Sequence, residues 1–240
     1  MKERWNLFCL FTRWSIYRIL VVLGIVVAAE VMTFYLSLQQ AFHRSSSQVA
    51  LWQILDQSKT EYIFLMGFLM VTLLLLRAGR DDNGKSEYTF LRLGVPARTV
   101  FFCQAAFNGC AYLLLWMVQM FVAVGLSLWY LKVADASWIT NQTLVLQTYR
   151  SDFLFSLLPL EATGIGARNI MLCITLGIAA AHEPFCQRKK RVSVAIYITV
   201  ALFAALFFQS IGDSSIYVLW IVNCMVSLIT VGLVCLEDEG

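Results

Sequence analysis

Residues Leu20–Leu38 read LVVLGIVVAAEVMTFYLSL, a run whose single charge is Glu30. About 20 consecutive apolar residues cross the hydrocarbon core of a bilayer as a helix. Five more runs of this kind follow: Glu61–Leu76, Thr99–Leu131, Thr163–His182, Val192–Ile211 and Ile216–Cys235. The chain is 60% hydrophobic and only 14% charged, where soluble domains carry about 25% charged residues. A soluble domain has no way to hide so much apolar surface. No strand pattern, convincing repeat or low-complexity tract competes with helices. The expected fold is an all-α polytopic membrane protein, a single transmembrane domain over 1–240 with six transmembrane helices in a lipid bilayer.

Lys and Arg set the expected orientation. The N-terminus, the 77–98 loop and the 186–191 loop hold thirteen of the eighteen: Lys2, Arg4, Arg13, Arg18, Arg77, Arg80, Lys85, Arg92, Arg98, Arg188, Lys189, Lys190 and Arg191. These segments are expected in the cytoplasm, with both chain ends inside and 39–60 and 132–162 external. The first 18 residues are no cleavable signal, because the apolar run behind them is too long and lacks a small-residue cleavage site. Trp5–Tyr17 mixes aromatic and basic residues and suits an interfacial helix over 1–18. Externally, Ser151 is placed to cap a short apolar helix that Pro159 stops. Ser58-Lys-Thr-Glu61 fits a capping box that would start the second span early. The third span is long enough either to stand out of the bilayer or to break at Asn108-Gly109.

Several motifs exclude chemistry in this chain. Gly79–Ser86 matches G-x-x-x-x-G-K-S, the phosphate loop of ATPases. That loop needs a strand feeding a glycine-rich turn into a helix N-terminus. Here it follows a membrane helix, carries Asp81 and Asp82, and has no companion motif, so ATP binding here is not expected. His182-Glu183-Pro184 closes the fourth span. A catalytic role there needs a nucleophile or a metal set, and neither G-x-S-x-G nor H-E-x-x-H occurs. The seven cysteines form no C-x-x-C pair, so a disulfide framework or zinc site is not expected and inert thiols are the reading. No catalytic residue, metal or cofactor is assigned to this chain, and no nucleic-acid partner is expected.

Polar residues at membrane depth usually face a protein interior. Glu30, Gln104, Asn108, Arg168, Asn169 and Asn223 are the candidates, either as interhelical hydrogen-bonding groups or as the lining of a path, and Gln119 shares their span-three pattern. By axial rise, Glu30 stands about 15 Å up the first span and Arg168 about 21 Å up the antiparallel fourth, so an ion pair between them is a candidate. Ala105-x-x-x-Gly109 and Gly177-x-x-x-Ala181 are small-residue pairs that permit close helix approach.

The segment after the turn at Asp82-Asn-Gly84 is distinctive. Ser86 can cap a short helix, Glu87-Tyr-Thr-Phe-Leu-Arg-Leu93 continues it, Gly94 ends it and Pro96 blocks its extension. In E-x-x-x-L-R-x-G-V-P-A-R, and in the layout around it, the chain resembles the transmembrane permease subunits of type 2 ABC exporters. The resemblance implies that 86–93 is a coupling helix seated in a groove of a separate ATPase subunit. Glu87, Tyr88, Phe90, Leu91 and Arg92 are then its contacts, and ATP and magnesium belong to that partner. It also implies a second permease subunit, identical or related, and residence in the bacterial cytoplasmic membrane. One feature departs from the family: Gly212-Asp-Ser-Ser215 leaves no room for a substantial external element between spans five and six. The competing reading is a stand-alone membrane module that captures a small ligand, as in vitamin importers, and needs no coupling helix.

Overall fold

The computed structural model describes residues 2–44, 50–79, 96–133, 146, 150–158, 163–188, 193–208 and 213–236. These form helices α1 (Lys2–Arg44), α2 (Leu51–Ser58), α3 (Thr60–Gly79), α4 (Ala97–Val133), α5 (Asp152–Leu157), α6 (Thr163–Arg188), α7 (Ala195–Phe208) and α8 (Asp213–Leu236), with no strand among the described residues. Stretches within α1, α3, α4, α6 and α8 are long and apolar enough to cross a membrane: Ser15–Ala41, Thr60–Arg77, Ala97–Val133, Gly164–Cys186 and Val218–Leu236. By length and composition the chain is a multi-pass membrane protein. The run expected as span five is helical over the 14 residues of α7, a rise of about 21 Å. That is short of the roughly 30 Å hydrocarbon core, and residues 209–212 lie outside the described set.

The bundle is built on α4 and α6, which share its most extensive contact. Gly177 of α6 makes that possible. A Cβ there would lie 2.6 Å from the Gly109 nitrogen and 2.9 Å from the Ala105 carbonyl oxygen. The two small-residue motifs thus face each other and bring backbone against backbone, the geometry expected of helices associating in lipid. On the other flank α1 packs against α3 and α4, and α8 packs against α6. The α1–α3 contact has its own close approach, with Gly67 seated against the Val26 side chain.

Aromatic packing fastens the interior. Phe68 of α3 is fully buried and stacks on Phe203 of α7 with ring centroids 3.8 Å apart. Tyr112 of α4 lies 5.7 Å from Phe68 and donates to Thr72 Oγ1 at 3.0 Å. At one end of the bundle α5 forms a plug. Ser151 Oγ accepts from Leu154 N–H as the expected cap, Phe153, Leu154 and Leu157 are buried, and Trp116 donates to the Leu157 carbonyl at 3.2 Å. Arg150 lies over the Trp52 ring, joining this plug to α2.

Three boundaries differ from the sequence reading, and at a fourth one of its two alternatives holds. No break separates 1–18 from the first span: α1 is one helix of 43 residues, so the independent interfacial helix is not formed. No Gly or Pro stands between Lys2 and Leu23 to stop helix propagation. The capping box at Ser58 is also absent. Lys59 takes a left-handed conformation, φ 56°, and divides α2 from α3, while Ser58 Oγ bonds the Leu55 carbonyl and Thr60. α4 runs unbroken through Asn108 and Gly109, because the close contact with α6 supports the backbone there. Finally, α6 continues through Pro184 to Arg188 rather than ending at His182.

Candidate functional site

Glu87, Tyr88, Phe90, Leu91 and Arg92, the expected ATPase contacts, lie outside the described residues. The chain on the far side of that segment is described. Pro96 caps α4 through its carbonyl, which accepts from Thr99 N–H at 2.9 Å. Two residues on, Arg98 Nη2 donates to the Cys235 carbonyl at 2.6 Å. Cys235 is in the last turn of α8, where unsatisfied carbonyls and the negative end of the helix dipole favour a cation. The chain thus enters α4 at a point tied to the last helix.

The intramembrane polar residues named from sequence are all buried: Glu30 at 0% exposure, and Gln104, Asn108, Arg168, Asn169 and Asn223 at 1–4%. They do not form one site. Glu30 of α1 accepts from Gln119 Nε2 of α4 at 3.0 Å through Oε2, and its Oε1 has no hydrogen-bond partner. Arg168 of α6 donates to the Ser156 carbonyl at 3.3 Å and to Asn169 Oδ1 at 3.1 Å, and Asn169 donates to the same carbonyl at 2.9 Å. The expected Glu30–Arg168 pair is not formed. α1 packs on α3 and α4, whereas α6 meets α4 on its own face, so matched axial heights do not bring the side chains together. Asn223 donates to the Leu219 carbonyl one turn back, leaving Oδ1 without a partner, and Asn108 Nδ2 has none either.

Two of the cavities among the described residues bear on a site. One, of about 670 Å³, is an apolar groove between α1 and α4 walled by Leu23, Val27, Val31, Tyr35, Val118 and Trp129. The other, of about 360 Å³, opens beside the end of α6, between α7 and α8. None of the six intramembrane polar residues lines either cavity. Glu30 ties α1 to α4, and Arg168 and Asn169 tie α6 to α5.

The second cavity holds a cluster that the sequence reading missed. His182 Nδ1 is 2.8 Å from Ser193 Oγ, and Cys186 Sγ is 3.3 Å from His182 Nε2. Ser193 N–H in turn donates to Glu183 Oε2 at 3.0 Å. His182 and Cys186 stand four residues apart on one helix face, a spacing that was legible. Ser193 lies beyond 189–192, which are outside the described residues, and no local pattern announces its contact with His182. Cys103, Cys110, Cys173, Cys186, Cys224 and Cys235 form no disulfide, and no group of three metal-ligating side chains occurs among the described residues.

Comparison with known protein families, characterised proteins and solved structures finds no match for this chain.

The Glu30–Gln119 contact yields an expected result. Glu30→Leu leaves a buried Gln119 amide unpaired, and Gln119→Leu strips the carboxyl of its only partner. Either single change is expected to cost about 1–3 kcal/mol, and the double change less than their sum, because neither then leaves a buried polar group behind. A double-mutant cycle in detergent unfolding is the check. The same cycle for Glu30 and Arg168 is expected to show no coupling.

Proposed function

We propose that the chain is the membrane-spanning permease subunit of an ATP-driven ABC transporter. It would span the bacterial cytoplasmic membrane six times with both ends inside, and export a peptide, lipid-like or drug-like compound. The observation that supports this most is the anchoring of Arg98 to the end of α8. The segment 86–93 resembles a coupling helix, and the chain that leaves it enters α4 through Pro96 and is fastened to α8 within two residues. A push on that segment would reach the α4–α6 spine and the last span together. Rigid helices joined at such contacts are what a two-state transport cycle requires. The missing ATPase machinery fits the division of labour, since a soluble subunit would hydrolyse ATP with bound magnesium and this chain would be no enzyme by itself.

The half-transporter would be completed by a second permease subunit, identical or related. The test is affinity purification of the tagged chain, expressed with its neighbouring genes, in mild detergent. An ATP-hydrolysing subunit is expected to co-elute in stoichiometric amount. A folded chain that elutes without one contradicts the proposal and favours a stand-alone ligand-binding module.

A further inference from the structure

The apolar groove between α1 and α4 exists because two positions on α1 carry almost no side chain. Gly24 and Ala28 are exposed, lie one turn apart and form its floor. A Cβ at Gly24 would meet no neighbouring atom within 4 Å, so the surrounding helices leave that space open. From Leu20 to Tyr35 the groove runs about 22 Å at the helical rise. One leaflet contributes about half of the roughly 30 Å hydrocarbon core, so the groove has the length to take a whole acyl chain. Its volume of about 670 Å³ spread over that length gives a mean section of about 30 Å². That is room for one hydrocarbon chain and not for two side by side.

The two ends of the groove differ. The Leu20 end is apolar. At the other end the Tyr35 ring stacks on Trp129, with centroids 5.9 Å apart and planes 8° from parallel, and Gln39 Nε2 donates to the Tyr35 hydroxyl oxygen at 2.6 Å. The hydroxyl keeps its own proton to donate, and Tyr35 is 40% exposed. Tyr and Trp gather at the level where acyl chains meet headgroups, and Lys132 follows Trp129 within a turn. Among the described residues, no charged side chain lines the groove. A fatty-acid carboxylate would find no cation there, whereas an ester carbonyl needs only a donor. On either side Val21, Ile25, Phe121 and Val124 are exposed. The groove is therefore continuous with the surface that these two membrane-crossing helices turn to lipid.

We propose that this groove binds one diacyl phospholipid. One acyl chain lies along Gly24 and Ala28, its ester carbonyl accepts from the Tyr35 hydroxyl, and the headgroup stays outside the helices. The chain is walled by α1 and α4 and hydrogen-bonded at one end, so this lipid is held in place while the surrounding lipid exchanges. The stacked Tyr35–Trp129 pair fixes the depth at which the ester sits. The inference does not depend on the transport reading.

The test is native mass spectrometry of the full-length chain, reconstituted with palmitoyl-oleoyl-phosphatidylglycerol and released from mild detergent. One lipid per chain is expected to survive release. Gly24→Leu fills the floor of the groove and is expected to lower the retained fraction at least about tenfold. Gly232→Leu, on α8 where a Cβ also meets nothing within 4 Å, is the control and is expected to retain the lipid. The ether-linked analogue lacks the carbonyl and is expected to be held about fivefold more weakly by the unmodified chain, the worth of one hydrogen bond. In Tyr35→Phe, ester and ether are expected to be held alike. No retained lipid, or equal losses in the two glycine variants, overturns the proposal. So does a dimer that Gly24→Leu dissociates, because a second copy of the chain then covers this face. If Gly24→Leu does not fold, the unmodified chain still decides: equal retention of ester and ether overturns the inference.

Discussion

Gly177→Ala is expected to destabilise the bundle by about 2–3 kcal/mol, whereas Gly109→Ala is expected to be neutral or mildly stabilising. The two glycines belong to one helix contact, yet they are not equivalent. A methyl group at 177 would meet the Gly109 nitrogen and Cα at 2.6 and 2.7 Å and the Ala105 carbonyl oxygen at 2.9 Å. All three are backbone atoms of α4, so no rotamer change relieves the clash and the helices must separate. At 109 the nearest atom to an added methyl is the Cys173 carbonyl oxygen at 3.9 Å, an ordinary contact. Alanine there also removes the helix cost of glycine, up to about 1 kcal/mol. Since lipid is as apolar as the side chains, close packing rather than a hydrophobic drive holds α4 and α6 together. Separation therefore loses the main attraction outright. Unfolding in sodium dodecyl sulfate, followed by circular dichroism, measures both variants. Equal losses at the two positions would show that the helices do not meet through Gly177.

Phe68→Ala is expected to cost about 3 kcal/mol. Phe68 is fully buried and is the ring on which the interior cluster converges, stacked on Phe203 at 3.8 Å and beside Tyr112 at 5.7 Å. Phe203 also meets Phe64 at 5.8 Å, and Phe64 meets Phe153 of the α5 plug at 5.9 Å. Truncation leaves a void among these rings and forfeits dispersion contacts that lipid does not replace. The transfer part of the usual penalty is smaller in a membrane, which places the expectation at the low end of the soluble range. Met70→Ala, on the exposed side of the same helix, is expected to stay within about 0.5 kcal/mol. The same detergent titration compares the two. A Phe68 loss no larger than that of Met70 would contradict the buried cluster.

The class of fold was legible because membrane crossing is a local property. A run such as Leu20–Leu38 declares itself without knowledge of its neighbours. The short helix at Asp152–Leu157 was legible for the same reason, since a serine cap and an apolar turn are local signals. Side-chain partnerships were not. Axial rise placed Glu30 and Arg168 at similar heights, but rise carries no information about which helix lies alongside or which face is turned. Gln119, on the helix that packs against α1, takes the carboxylate instead. The Lys59 break was hidden for another reason. A non-glycine residue with positive φ is uncommon, and Ser58-Lys-Thr-Glu61 reads equally well as the start of a helix. The His182 cluster brings Ser193, 11 residues on, against the ring, a tertiary contact with no sequence signature.

The measurement that bears most directly on the transport reading is docking of the ATPase through 86–93. Phe90→Glu with Leu91→Glu places two charges on the apolar side of that segment. Both the unchanged chain and the double variant would be purified with their neighbouring gene products, and ATP hydrolysis measured in each eluate. The expected result is an ATP-hydrolysing complex with the unchanged chain and a folded variant that elutes without the ATPase, its activity down at least tenfold. A variant that keeps the subunit and its activity would place the contact elsewhere and contradict coupling through this segment.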